Sequence, residues 1–257
     1  MVKGLYSAYT GMLNEQKRLD IVANNIANAA TTGYKKEGVT NQAFDSMLAI
    51  KVKDATNGYM DESIGSVSLG VKIGEVYVNH TQGSIRQTGN TFDVALEGNG
   101  FFTIAVVDEN GEESIKYTRD GSFKLNSEGY LMDADGNYVL GEGGYIQIPT
   151  EQAEVAIDSL GRITANGEYL DDLYITDFEN YDYLKKYGDN LYEAVDGATE
   201  IEATGLVQQG YLEQSNVQSV EEMVNMIAIT RAYETNQKVI STIDTMLDKA
   251  VNSVGNV

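Results

Sequence analysis

Enzymatic or metal-centred chemistry in this chain would have to start from one histidine, no cysteine and an excess of carboxylates, 39 Asp and Glu against 18 Lys and Arg. Without Cys there is no disulfide, no thiolate metal ligand and no thiol nucleophile. One histidine cannot build a multi-histidine centre, and no Ser/His/Asp grouping stands out around it. Flanked by Asn79 and Thr81, His80 reads as a surface or turn residue. Asp133-Ala134-Asp135-Gly136-Asn137 opens like a calcium loop. Its sixth position is Tyr138, where the sharp turn needs Gly, and its twelfth is Gly144, where a bidentate Glu is needed. It reads instead as an Asp-Gly hairpin turn. Gly98-Asn99-Gly100 lacks the third glycine of a dinucleotide loop and leads into a strand, so it aims no helix N-terminus at a phosphate. The carboxylates remain. A cell-wall glycoside hydrolase would need two in one cleft, one with a raised pKa; no such pair stands out, and acidic side chains on a solvated surface are the ordinary case. The sequence therefore assigns no catalytic residue, no cofactor and no metal.

The elements that carry these residues say more. Net charge is −21, which argues against nucleic acid and anionic membrane surfaces, since both repel an acidic protein. Residues 1–48 and 206–257 are close to neutral. The stretch between them holds ten basic and twenty-nine acidic residues, a net −19, which suits ends that pack and a middle that stays in water. No apolar run is long enough to span a bilayer, so no membrane insertion is expected. The N-terminus shows no basic and then apolar segment of a cleavable signal, so any export would use a route that does not read one.

Both ends carry helical stripes. Leu5, Met12, Leu19 and Ile26 recur every seven residues, with Tyr9, Val22 and Ala23 beside them. Near the other end Met226, Tyr233, Ile240, Leu247 and Val254 recur in the same way, with Ile229, Ile243 and Ala250 between them and Asn236 as the one polar residue on the stripe. This 3–4 alternation marks helices that pack lengthwise on other helices. Ser219-Val220-Glu221-Glu222 fits a helix start, and the Asn-rich end of the first stripe, closing at Gly33, fits a stop. A helix from Ser219 to Val254 would be about 50 Å long at roughly 1.5 Å per residue, too long for one stripe to bury alone. Asn41 to Val52 reads as a short helix through Phe44, Met47 and Leu48, and residues 54–63 as an exposed loop. From Ile64 to about Thr204 short β-type segments alternate with turn residues, among them Phe101–Val107, Ile115–Thr118 and Tyr138–Leu140, which predicts an antiparallel barrel or sandwich. The expected architecture is α+β: a helix in 1–34, a connecting segment 35–66, a central β domain 67–205 and a C-terminal helix in 206–257, the two helices packing as a coiled-coil-like inner domain.

Three separated stretches resemble one family. Gly4-Leu5-Tyr6-Ser7-Ala8 with Leu19 through Lys35 resembles the N-terminal signature of the flagellar rod and hook proteins. Asp93 through Phe102, followed by Tyr117-Thr118-Arg119-Asp120-Gly121-Ser122-Phe123, looks like their β-domain motif. Gly210 through Val217, Val220 through Val224 and Arg231-Ala232-Tyr233-Glu234 resemble their C-terminal signature. The resemblance implies a structural, non-enzymatic subunit of the bacterial flagellar basal body, outside the cytoplasmic membrane. Its terminal helices would line a helical tube of identical subunits and its β domain would project outward. The implied partners are further copies of the chain, other rod subunits, the hook and the flagellar type III export apparatus. The length resembles rod subunits with one β domain. Gly70-Val71-Lys72-Ile73-Gly74 and Thr81-Gln82-Gly83-Ser84-Ile85 resemble the distal rod, and the proximal rod paralogue shares much of this. The implied packing positions are Leu5, Met12, Leu19, Ile26, Met226, Ile229, Tyr233, Asn236, Ile240, Ile243, Leu247 and Val254. Two readings of other classes stand beside this one: a coiled-coil binding module with a β head, which would form a small closed oligomer, and the two-carboxylate cell-wall enzyme above.

Overall fold

The computed structural model describes residues 2–44, 47–51, 62–67, 70–107, 111–149 and 154–254. Contacts divide the chain into two units: Met1–Ile26, Glu37–Tyr77 and Ser219–Val257 form one, Ala27–Lys36 and Val78–Gln218 the other. The sequence reading drew its first boundary at residue 34 and its second at residue 66. The difference has a physical reason in each case: residues 27–36 bond to the β unit, and the strands Glu37–Ala43, Met47–Lys51, Glu62–Val67 and Val71–Val78 group with the helices.

The helical unit is built on α1 (Val2–Ala27) and α2 (Ser219–Lys249), the latter running on into a wider turn at Ala250–Val254. Glu221 and Glu222 lie in the first turn of α2 and Lys249 in its last, each matched to the helix dipole. Thr230, Thr235, Thr242 and Thr245 donate their hydroxyls to backbone carbonyls four residues back, so the polar groups of this long helix are met locally. A β carbon placed on Gly4 would lie 3.6 Å from Ile243 Cδ1, and one on Gly11 would lie 3.0 Å from Asn236 Nδ2. Position rises on one helix as it falls on the other, so α1 and α2 run antiparallel. Asn25 explains part of the Asn-rich motif. It is buried, and its side chain both accepts from Glu37 N (2.9 Å) and donates to Glu37 O (2.8 Å), pairing with one residue as a neighbouring strand would.

The helix expected over Asn41–Val52 is not formed. Glu37–Ala43 is a strand paired with Val71–Val78, and Met47–Lys51 is a strand antiparallel to Glu62–Val67. Phe44, Met47 and Leu48 have helical spacing, but three apolar residues in a short run fit a strand edge equally well. Most of the loop expected at 54–63 lies outside the described residues. Gly70 has φ +117°, and a β carbon there would meet Thr10 Oγ1 on α1, so glycine is required where the strand pair rests on the helix.

The second unit is β, and every register between its paired strands is antiparallel. Its central strand is Phe101–Val107. One edge pairs with Glu113–Thr118, through Phe102 opposite Thr118 to Val107 opposite Glu113. The other edge is shared, Ile175–Phe178 taking its start and Tyr138–Gly141 its middle. Both faces of this strand are covered. Phe102 and Ile104 enter a core with Val94, Leu96, Leu131, Val139 and Ile163, while Phe101 points the other way into a cluster with Tyr117, Phe178, Leu184 and Tyr192. That is why the strand reads as an apolar run interrupted only by Thr103 instead of an alternating one.

Candidate functional site

The residues expected to pack are gathered on one side of each helix. On α2, Met226, Tyr233, Asn236, Ile240, Ile243 and Leu247 are half-buried and Ile229 is buried, in a helix otherwise largely exposed. On α1, Leu5, Met12, Leu19 and Ile26 are half-buried, with Ala8 and Val22 buried between them. Tyr9 and Ala23, expected beside that stripe, are exposed. Asn236 and Ile243 are brought against α1 at Gly11 and Gly4. The side chain of Val254 lies outside the described residues.

Sequence reasoning missed a cluster of buried charges. Lys35, Arg119 and Glu213 meet inside the β unit. Lys35 Nζ lies 2.6 Å from Glu213 Oε1, and both side chains are 1% exposed. Arg119 Nη1 reaches Glu213 Oε2 at 3.3 Å and its Nη2 donates to Gly98 O at 2.8 Å. The rest of the shell is backbone: Gly83 N donates to Glu213 Oε1, Lys35 Nζ donates to Thr81 O, and Gly33 N donates to Glu213 O. Burial holds the Lys35 ammonium below its usual pKa, with Glu213 pulling the other way. Asn216 continues the assembly, donating to Asn79 O and Thr81 O and accepting from Lys36 N. Thr32 Oγ1 donates to Asp120 Oδ1 at 2.7 Å.

His80 is also misplaced by the sequence reading. It is half-buried among rings, with centroids 4.9 Å from Tyr181, 5.3 Å from Tyr192 and 5.7 Å from Phe101, and Arg119 lies over the Phe101 ring at 5.2 Å. Desolvation first, then the nearby positive charges of Lys35 and Arg119, lower its pKa to about 4, against a smaller opposing pull from Asp182. The flanking residues make the local turn bond expected of them, Asn79 Oδ1 accepting from Thr81 N at 3.0 Å, and both also receive Asn216. Asp133 does what an Asp-Gly turn needs: its Oδ1 accepts from Asp135 N and Asn137 N, leaving no open ligand set. Among the described residues no group of three His, Asp or Glu side chains could hold a metal, and no helix is long and apolar enough to cross a membrane.

Charges locked to backbone, rings packed edge-on and tilted around an uncharged histidine and long apolar stripes hold shape and offer surface; the arrangement is that of a structural protein. The comparisons agree. Residues 5–35 match the profile of flagella basal body rod proteins, residues 95–165 that of the flagellar hook protein FlgE/F/G D1 domain, and residues 208–253 that of the flagellar basal body rod FlgEFG protein C-terminal region. The chain is 35% identical to the flagellar basal-body rod protein FlgG of Bacillus subtilis over 268 residues, covering 98% of this chain and 99% of the relative. It is 36% identical to FlgG of Agrobacterium fabrum over 260 residues (95% and 97%) and 33% identical to FlgF of Caulobacter vibrioides over 259 residues (all of both). The chain belongs to the flagellar basal-body rod protein family. It is a structural component of the basal body and not an enzyme, so the cell-wall hydrolase and the free binding module are set aside. Each matched segment supplies one member of the buried charge cluster: Lys35, Arg119 and Glu213.

Proposed function

We propose that this subunit polymerises with copies of itself into a helical tube, α1 and α2 forming a coiled-coil-like inner wall, and that the tube carries motor torque to the hook. The observation that carries this reading is the half-burial of the stripe residues within one chain. Leu5, Met12, Leu19 and Ile26 on α1, and Met226, Tyr233, Ile240, Ile243 and Leu247 on α2, keep apolar surface that neighbouring copies complete, with Asn236 the polar member of the same packing stripe. In the sequence, Val254 continues the same seven-residue repeat. A tube under torque needs many parallel contacts that do not slide, and long antiparallel helices supply them. Other rod subunits and the hook adjoin its ends. The chain reaches this place, outside the cytoplasmic membrane, through the flagellar type III export apparatus. Within the rod we assign it to the distal part, on Gly70–Gly74 and Thr81–Ile85; labelling the subunit in isolated basal bodies and finding it only at the end remote from the hook would assign it to the proximal part instead.

Polymerisation tests the reading. The full chain should sediment as long polymers and show tubes by electron microscopy. A chain without residues 1–26 and 219–257, which keeps Lys35 and Glu213, should remain a folded monomer. A full chain that stays monomeric at high concentration, or closes into a small ring, would overturn it.

A further inference from the structure

The protected stripe of α2 faces α1 of the same chain, yet α2 has a second apolar face. Val220, Met223, Val224 and Ile227 are 77, 50, 60 and 55% exposed. Their i, i+3, i+4, i+7 spacing puts them on one side of the helix, and Arg231 and Glu234 continue that side, with Glu221 at its margin. The same unit offers a receptor of matching kind. Between α1 and the strands Glu37–Ala43 and Val71–Val78 lies a groove of about 610 Å³, floored by apolar side chains including Leu13, Phe44, Ile73 and Val76 and bordered by Lys17, Asp20, Glu37 and Lys72. Leu13 and Val76 are themselves 46 and 56% exposed. An amphipathic helix laid into an apolar groove is a recurrent mode of recognition, read through anchors at this spacing.

We propose that the Val220–Ile227 face of α2 in one copy seats in the groove between α1 and the strand pair of the next copy. The proposal rests on the rod reading and adds to it which surfaces meet. The occupant is a second copy of this chain because the charges answer one another: the lysines bordering the groove meet Glu221 and Glu234, and its carboxylates meet Arg231. Knob and groove are different surfaces, so the contact is heterologous. Repeated without closure it generates an open helix, whereas a self-complementary patch would stop at a dimer.

The chain has no cysteine, so introduced ones report alone. A Leu13→Cys chain and a Val224→Cys chain are mixed under polymerising conditions and treated with a short bis-maleimide. Linked dimers should appear in the mixture and in neither variant alone. A full chain carrying Val224→Asp and Ile227→Asp should lose at least tenfold in polymer yield while keeping its helical circular dichroism; where that variant loses helix, the cross-link decides. Polymers that form without the mixed cross-link, or links within either variant alone, would overturn this interface and leave the rod reading standing. A parent chain that never polymerises would overturn both.

Discussion

Lys35 and Glu213 are 178 residues apart in sequence and 2.6 Å apart in space, each 1% exposed. Arg119 completes the cluster from a third segment. One carboxylate therefore faces two cations in a place closed to water, and the carbonyls of Thr81 and Gly98 accept from those cations as well. Removing one partner from such a buried group is strongly destabilising, because the charges left behind stay buried with less compensation.

The three members should consequently respond unequally. Glu213→Ala strands both Lys35 and Arg119 and should cost about 3–5 kcal/mol in urea unfolding of the full chain. Lys35→Met removes one cation and leaves Arg119 on Glu213, so its cost should be clearly smaller. Equal losses from the two substitutions would show that Arg119 does not share the carboxylate.

Little of this cluster was legible in the sequence, and the reason is physical. Lys35, Arg119 and Glu213 look like any solvated charges, because burial is decided by pairing across distant segments and leaves no local period. The helices were legible because each stripe repeats every seven residues for three or four heptads. The central strand was legible because Phe101 through Val107 is a long apolar run interrupted only by Thr103. Residues 41–52 were misread because Phe44, Met47 and Leu48 satisfy helix and strand spacing alike, and only the antiparallel pairing with Glu62–Val67 decides between them. Asn25 was read as a helix breaker, whereas its buried amide pairs with the backbone of Glu37.

His80 makes stability pH-dependent. Its folded-state pKa of about 4 lies below the 6.5 of an unfolded chain. Between those values the unfolded chain holds more protons, so stability is full above about pH 6.5 and falls as pH is lowered toward 4. The loss should be about 2 kcal/mol, the partial exposure of the ring reducing what a shift of this size would give at about 1.4 kcal/mol per unit. His80→Gln, measured by urea midpoints across this range, should flatten the slope even if it lowers stability overall. An unchanged slope would assign it to carboxylates.

Gly33 has φ +67°, and a β carbon there would run into Asp120 N and lie 2.5 Å from the Arg119 carbonyl carbon. Both contacts are backbone and cannot swing away. Gly33→Ala should therefore cost more than about 2 kcal/mol, combining left-handed strain with displacement of the segment that carries Arg119. Gly167 also has positive φ, +83°, but nothing lies within 4 Å of its β-carbon position, so Gly167→Ala should cost only the conformational part, about 1 kcal/mol. Comparing their thermal midpoints separates crowding from conformation.

Asn236 lies where α2 meets α1 at Gly11, its Nδ2 3.0 Å from the position a β carbon would take. An amide on an otherwise apolar stripe stabilises less than a leucine would, but a single polar residue at such a position specifies how the helices pair at that cost in stability. Asn236→Leu should change the stability of the full chain by less than about 1 kcal/mol, since gained apolar burial offsets the lost polar fit. What should change is uniformity: polymers of the variant should show mixed helical order by electron microscopy, where the parent gives one. Polymers of unaltered order would remove the register role from Asn236 and leave Gly11 and Gly4, which let α1 approach Asn236 and Ile243 closely, as the features that set how the two helices align.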